Sequence, residues 1–126
     1  MENQDPNRHV FSIATMTNPK TKRPFGDRYA GEFIVRRPTL QDKRDIGVRD
    51  IATSSAFGTI DPKHLSTNIS NINYIFSFFA VIGEKIPAWF DIGALYEEDW
   101  DAVDAAWKEL SRWLGTFRSG RGDTQG

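Results

Sequence analysis

Few residues in this chain of 126 are equipped for covalent or proton-transfer chemistry. Cysteine is absent, which removes disulfides, thiolate zinc sites and cysteine nucleophiles together. The two histidines, His9 and His64, stand far apart and have no His-x-x-x-His or Glu-x-x-His companion, so nothing in their spacing builds a metal site. Glu97, Glu98, Asp99 and Asp101 form an acidic run, but it lacks the Asp-x-Asp-x-Asp-Gly order of a calcium loop and reads as the solvated start of a helix. A Gly-x-Ser-x-Gly elbow, a P-loop and a dinucleotide fingerprint are all missing. The expectation is a protein that is not an enzyme and uses no metal or cofactor.

Two other chemistries are better supplied. Lys20, Lys22, Arg23 and Arg28 cluster with Phe25 and Tyr29, the kind of mixture that neutralises phosphates and stacks bases in single-strand binders. The balance of the whole chain, 16 Lys and Arg against 17 Asp and Glu, argues against a surface made for polyanions. What remains is packing. Nine Phe, four Trp and three Tyr are more than a small domain easily buries, and these residue types dominate interface hot spots. The sequon Asn68-Ile69-Ser70 and the tripeptide Arg121-Gly122-Asp123 read as coincidence. The first residues are polar and acidic, unlike a secretory leader, and the longest apolar stretch, 69–86, is too often interrupted to span a membrane. A soluble, intracellular protein is expected.

The elements that must position these residues read as one α+β domain, an N-terminal β-hairpin followed by three helices. Residues 1–9 are expected as a loose arm, 10–118 as the globular unit and 119–126 as a flexible tail. Within the hairpin, 10–37, strands fall near 10–14 and 29–36 around a long basic loop, and Pro38 ends the second. Thr39 caps a first helix over 39–54, whose apolar face is Leu40, Gly47 and Ile51 with Val48 and Ala52 beside them. Gly47 suggests close approach of a neighbour, and the opposite face, with Lys43, Asp45, Arg49 and Asp50, reads as solvated. A linker at 54–61 leads to a second helix over 66–84, apolar nearly all round, that stops at Gly83 and Pro87. The third, 96–117, carries Tyr96, Trp100, Val103, Trp107, Leu110, Leu114 and Phe117 in heptad spacing, with acids toward its start and Lys108, Arg112 and Arg118 toward its end. Trp113 lies off that stripe, so its ring is expected at the rim or outside, open to a partner.

Gly31-Glu32-Phe33-Ile34-Val35-Arg36-Arg37-Pro38-Thr39, followed by Ile46-Gly47-Val48-Arg49, resembles the opening of the small tail assembly chaperones of long-tailed bacteriophages. Pro87-Ala88-Trp89 and the closing pair Phe117-Arg118 are similar to later landmarks of that family, so the resemblance spans about residues 11–118. It implies a non-enzymatic protein of the infected host's cytoplasm. Such a protein binds the tape measure protein, helps the major tail protein polymerise around it, and is absent from the finished virion. It also implies that a longer frameshifted form extends the end of the chain. The resemblance leaves the basic loop, 18–28, without a counterpart. The partner surface expected on this basis combines Phe76 and Phe79 on the second helix with Trp107, Leu110, Trp113 and Phe117 on the third, offered to a helical client as a groove; self-association is a further expectation. Two rival readings stand beside it: a structural protein of the head-tail connector or neck, and a small nucleic-acid-binding regulator that would use Lys20, Lys22, Arg23 and Arg28.

Overall fold

A computed structural model describes the backbone of residues 5–55 and 67–125, with side chains over 5–52 and 72–117. Most of the linker expected at 54–61, the Asp61-Pro62 step and His64 lie outside the described residues, as does the start of the N-terminal arm. The element order is β1 (Arg8–Ser12), β2 (Glu32–Arg36), α1 (Leu40–Ser55), α2 (Thr67–Ile82), β3 (Gly83–Lys85) and α3 (Trp100–Gln125). Single 3-10 turns at Asp27–Tyr29 and Glu97–Asp99 precede β2 and α3. The fold is mixed α+β. No helix among the described residues is long and apolar enough to cross a membrane.

The expected hairpin is present, but it belongs to a three-stranded antiparallel sheet in the order β1-β2-β3. Its first strand begins at Arg8, so Arg8 and His9 are sheet residues and not part of a loose arm. Phe11 lies opposite Phe33, and their rings are parallel with centroids 4.7 Å apart, a cross-strand pair of the kind that stabilises a register. Alternation along β2 buries Phe33 and Val35 completely and leaves Glu32 outside. The basic loop is ordered too: Thr17 bridges Pro24, Asn18 N–H donates to the Arg23 carbonyl, and Lys22 takes a left-handed φ of 64° at the turn.

The third strand corrects the reading of the second helix, which ends at Ile82 and not at residue 84. Gly83 is what permits the switch, because a Cβ there would sit 2.5 Å from the Phe79 carbonyl oxygen and 2.6 Å from the Ile86 side chain. Gly83 pairs with Val35 and Lys85 with Ile34, across an irregularity in β2. Gly31, at φ 123°, is held in a conformation that suits glycine, and a Cβ on it would come within 2.9 Å of Pro87.

α1 is capped by Thr39, as its sequence implies. Thr39 Oγ1 accepts from the Asp42 N–H at 3.1 Å, and Asp42 Oδ2 accepts from the Thr39 N–H at 2.9 Å, a reciprocal capping box. The face it buries is not the expected one. Arg36 at the end of β2 holds the other oxygen of Asp42 at 2.8 Å, and this turns Asp42 and Ile46 inward. Leu40, Val48 and Ile51 are left outside. Asp45 and Asp50 are half-buried and not fully solvated, and among the described residues no neighbour lies within 4 Å of where a Cβ on Gly47 would sit.

α3 is also rotated from its heptad stripe. Its buried line is Ala102, Ala106, Leu110 and Trp113 with Val103, while Trp100, Trp107 and Leu114 are half-buried and Tyr96 precedes the helix in the open. Two alanines stand in that line, and a pattern weighted to large side chains passes over them. Trp113 is therefore core, 8% exposed, stacked at 5.2 Å on His9 and edge-on to Phe117 at 5.2 Å. The helix continues through Gln125, so the expected tail over 119–125 is helical. Glycine lowers helix propensity by about 1 kcal/mol but, unlike proline, keeps the N–H that the ladder needs.

Candidate functional site

The residues proposed from sequence as one partner surface are divided by the fold. Phe79 and Leu110 lie in the core with Trp113, Phe79 against Phe33 at 5.5 Å and Phe90 at 5.0 Å. Trp107 is half-buried, edge-on to Tyr74 and Phe78 at 5.7 and 5.4 Å. Phe117 lines a groove of about 350 Å³ with Leu40 and Phe78, and the Arg37 guanidinium lies 4.1 Å from its ring centre. Phe76 alone of the six opens into the larger cleft that α2 forms with the start of α3.

That cleft, about 660 Å³, is the strongest candidate site. Ile72 and Phe76, one turn apart on α2, form one wall; Trp100 and Val103 on α3 form the other. The connector closes it with Ile92, Leu95 and Tyr96, of which Ile92 is 52% and Tyr96 70% exposed. Large apolar side chains left this open beside a concave surface are uncommon unless something covers them. Phe76 stacks on Phe90 at 4.5 Å, which seats its ring on the core. Glu97, Glu98 and Asp101 rim the cleft, with Lys20 the cation among its lining residues. Sequence reasoning assigned Tyr96 and Trp100 to the core and passed over Ile92 and Leu95. The available signal was three apolar residues, Ile92, Leu95 and Tyr96, in a segment with no periodic structure to bury them.

Behind the rim lies Asp99, the fully buried member of the acidic run. It is 2% exposed and accepts from the Tyr29 hydroxyl at 2.6 Å, Arg28 Nη2 at 2.8 Å and the Tyr96 N–H at 2.8 Å. Burial pushes its carboxyl up, but the Tyr29 and Tyr96 hydrogen bonds and the Arg28 charge outweigh burial and hold it below the usual carboxylate range. Tyr29, by burial first and then its bond to Asp99, is pushed up to about 12. The basic loop is thereby folded back on the acidic start of α3, and Lys20 Nζ adds a 3.2 Å contact to Asp101. Arg28 and Lys20 are engaged in these ion pairs. Arg23 lines a second cleft of about 650 Å³ with Phe25 and Tyr29, and Lys22 stands exposed at the loop tip.

His9 Nε2 lies 2.8 Å from Glu109 Oε2, and Arg112 grips both oxygens of that carboxylate at 2.6 and 2.9 Å. The Arg112 hydrogen bonds, opposed by burial and aided by His9, keep the Glu109 carboxyl below its ordinary range. With its ring stacked between Phe11 and Trp113, the imidazole is a joint between β1 and α3. Among the described residues no group of three or more His, Asp or Glu is placed to hold a metal ion. The arrangement can bind an apolar segment with charged flanks. No family model, curated protein or solved structure matches this chain.

Proposed function

We propose that this protein is a non-enzymatic assembly chaperone of the phage tail type, working in the cytoplasm of the infected host. It shields an apolar stretch of a tape measure protein and hands it to the polymerising major tail protein. The observation that carries this reading is the open apolar cleft between α2 and α3, where Ile92 and Tyr96 face solvent above a stacked Phe76. A cleft of this kind suits one or two apolar anchors of an amphipathic helix, and repeated copies along a long client add their modest affinities. Two of the segments behind the family resemblance also meet in space: Gly31 abuts Pro87, and Phe33 meets the Trp89 ring at 5.7 Å. A nucleic-acid role is less well supported, because Arg28 and Lys20 already hold Asp99 and Asp101.

Co-expression with a tape measure protein tests the reading. The client is expected to stay soluble and co-purify with the chain, and the exposed-residue variants Ile92→Glu and Tyr96→Glu are expected to lower its capture by more than tenfold while retaining native circular dichroism, since each removes an anchor of about 1.5–3 kcal/mol. Capture by both variants equal to that of the wild type would sink the cleft, and stoichiometric recovery of the chain from purified virions would favour a connector or neck protein instead.

A further inference from the structure

Many cations of this chain have a carboxylate: Arg8, Arg28, Arg36 and Arg112 are paired with Glu84, Asp99, Asp42 and Glu109. Arg37 and Lys43 have none among the described residues. Their side chains reach only neutral oxygens, Asn7 Oδ1 at 3.4 Å and the Tyr74 hydroxyl at 3.5 Å. Both line the groove of about 350 Å³ that Leu40 and Lys43 of α1 share with Leu114 and Phe117 of α3, and no described Asp or Glu lines it with them. Each charge rests on a ring: the Arg37 guanidinium lies 4.1 Å from the centre of Phe117, and Lys43 Nζ lies 5.1 Å from that of Phe78. The Arg37 backbone is tied as well, its N–H donating to the Asn7 carbonyl at 2.7 Å.

Two like charges at one small apolar surface are complementary to a carboxylate carried on an apolar body. A bare anion leaves Leu114 and Phe117 uncovered, and a neutral hydrocarbon leaves both charges unanswered. The groove is near the low end of the range of about 300–1,000 Å³ typical of small-molecule sites, with room for one chain or ring and too little for a helix face. We infer that it binds a small carboxylate amphiphile, whose carboxylate accepts from Arg37 and Lys43 while its alkyl or aryl body lies on Phe78, Leu114 and Phe117. This groove is separate from the cleft. Phe76 of α2 opens into the cleft and Phe78 into the groove, two residues and about 200° apart around the helix. The inference does not rest on the client reading, so either can fail alone.

Titration of the isotope-labelled full chain with sodium decanoate to about 5 mM, followed through amide chemical shifts, tests it. Saturable shifts are expected on Arg37, Lys43 and Phe117, with a Kd of about 0.1–1 mM that rises with salt, and none on Ile92 or Tyr96 in the cleft. Acetate and decanol each supply one half of the ligand and are expected to bind more than about tenfold more weakly. Arg37→Gln/Lys43→Gln, at exposed positions, is expected to keep native circular dichroism and to lose more than about tenfold in affinity, whereas Arg37→Lys/Lys43→Arg stays within about fivefold of wild type. Decanol binding as tightly as decanoate overturns the inference. So do shifts confined to the cleft, an absence of saturation, or undiminished binding by the variant without the two charges. A Glu-Phe-Glu peptide that shifts these amides where decanoate does not overturns it in favour of a protein segment, and shifts produced by protein concentration alone overturn it in favour of a second copy.

Discussion

Asp42 and Asp99 solve the same problem in two places. Each lies three residues past the start of its turn and reaches back to a backbone N–H there, and each then receives an arginine from the hairpin, Arg36 and Arg28 respectively. A carboxylate with these partners can be buried because its lone pairs are satisfied, and the pair ties a helix start to the sheet or its loop. Removing the acceptor leaves buried donors without partners. Asp99→Ala is therefore expected to destabilise the fold by about 1–3 kcal/mol in urea denaturation, discounted for the exposed half of Arg28. Trp113 and Trp107 have exchanged the places that their spacing suggested. Trp113→Ala, which removes a ring from between His9 and Phe117, is expected to cost about 3–5 kcal/mol, and Trp107→Ala, half-buried, about 2 kcal/mol. A larger loss for Trp107 in the same denaturation experiment would show the heptad stripe to be the true core face.

At the scale of elements, the passage from α2 into β3 turns on one residue. Gly83 leaves the helix against the carbonyl of Phe79 with no room for a methyl group, and the next two residues complete the sheet beside β2. Gly83→Ala is expected to cost about 1–3 kcal/mol through overpacking and to loosen β3. Amide hydrogen exchange on Ile34 and Val35 should accelerate while that on β1 changes less; unchanged protection on β2 would show that β3 adds nothing to the sheet. The ion pairs across this edge, Arg8 with Glu84 and Lys85 with Glu32, are exposed and contribute little by themselves.

For the molecule as a whole, the buried carboxylates make stability depend on pH in a definite direction. The carboxyls of Asp42, Asp99 and Glu109 are held below their ordinary range in the folded chain. On acidification the unfolded chain binds protons first, so this stabilisation is complete above the unfolded values near about 4 and is lost as pH falls through the lower folded values. Tyr29 acts in the opposite sense: its folded value of about 12 against 10.0 keeps the hydroxyl protonated on Asp99, and the stabilisation is lost as pH rises between them. Thermal melts are expected to show a plateau at neutral pH with falls at both ends. Tyr29→Phe should remove the fall between about pH 10 and 12, and Asp42→Asn/Asp99→Asn should flatten the acid one. An acid limb unchanged in the double variant would place the sensitive carboxylates elsewhere.

Local chemistry was enough to determine the mixed class, the hairpin from the alternation of Phe33 and Val35, the Thr39 cap, and the existence of three helices, because these depend on near neighbours and on period. Which face each helix buries was decided only in three dimensions. Arg36 and Arg28 reach across 6 and 71 residues to Asp42 and Asp99, and a contact of the longer kind leaves no periodic trace in the chain. These pins turn Ile46 inward and leave Leu40 outside on α1. On α3 the small Ala102 and Ala106 line the buried side and Trp113 follows them in. Tyr96, ahead of α3, is left exposed beside Ile92 at the cleft, so the candidate site arises where tertiary packing overrode the pattern of large apolar residues.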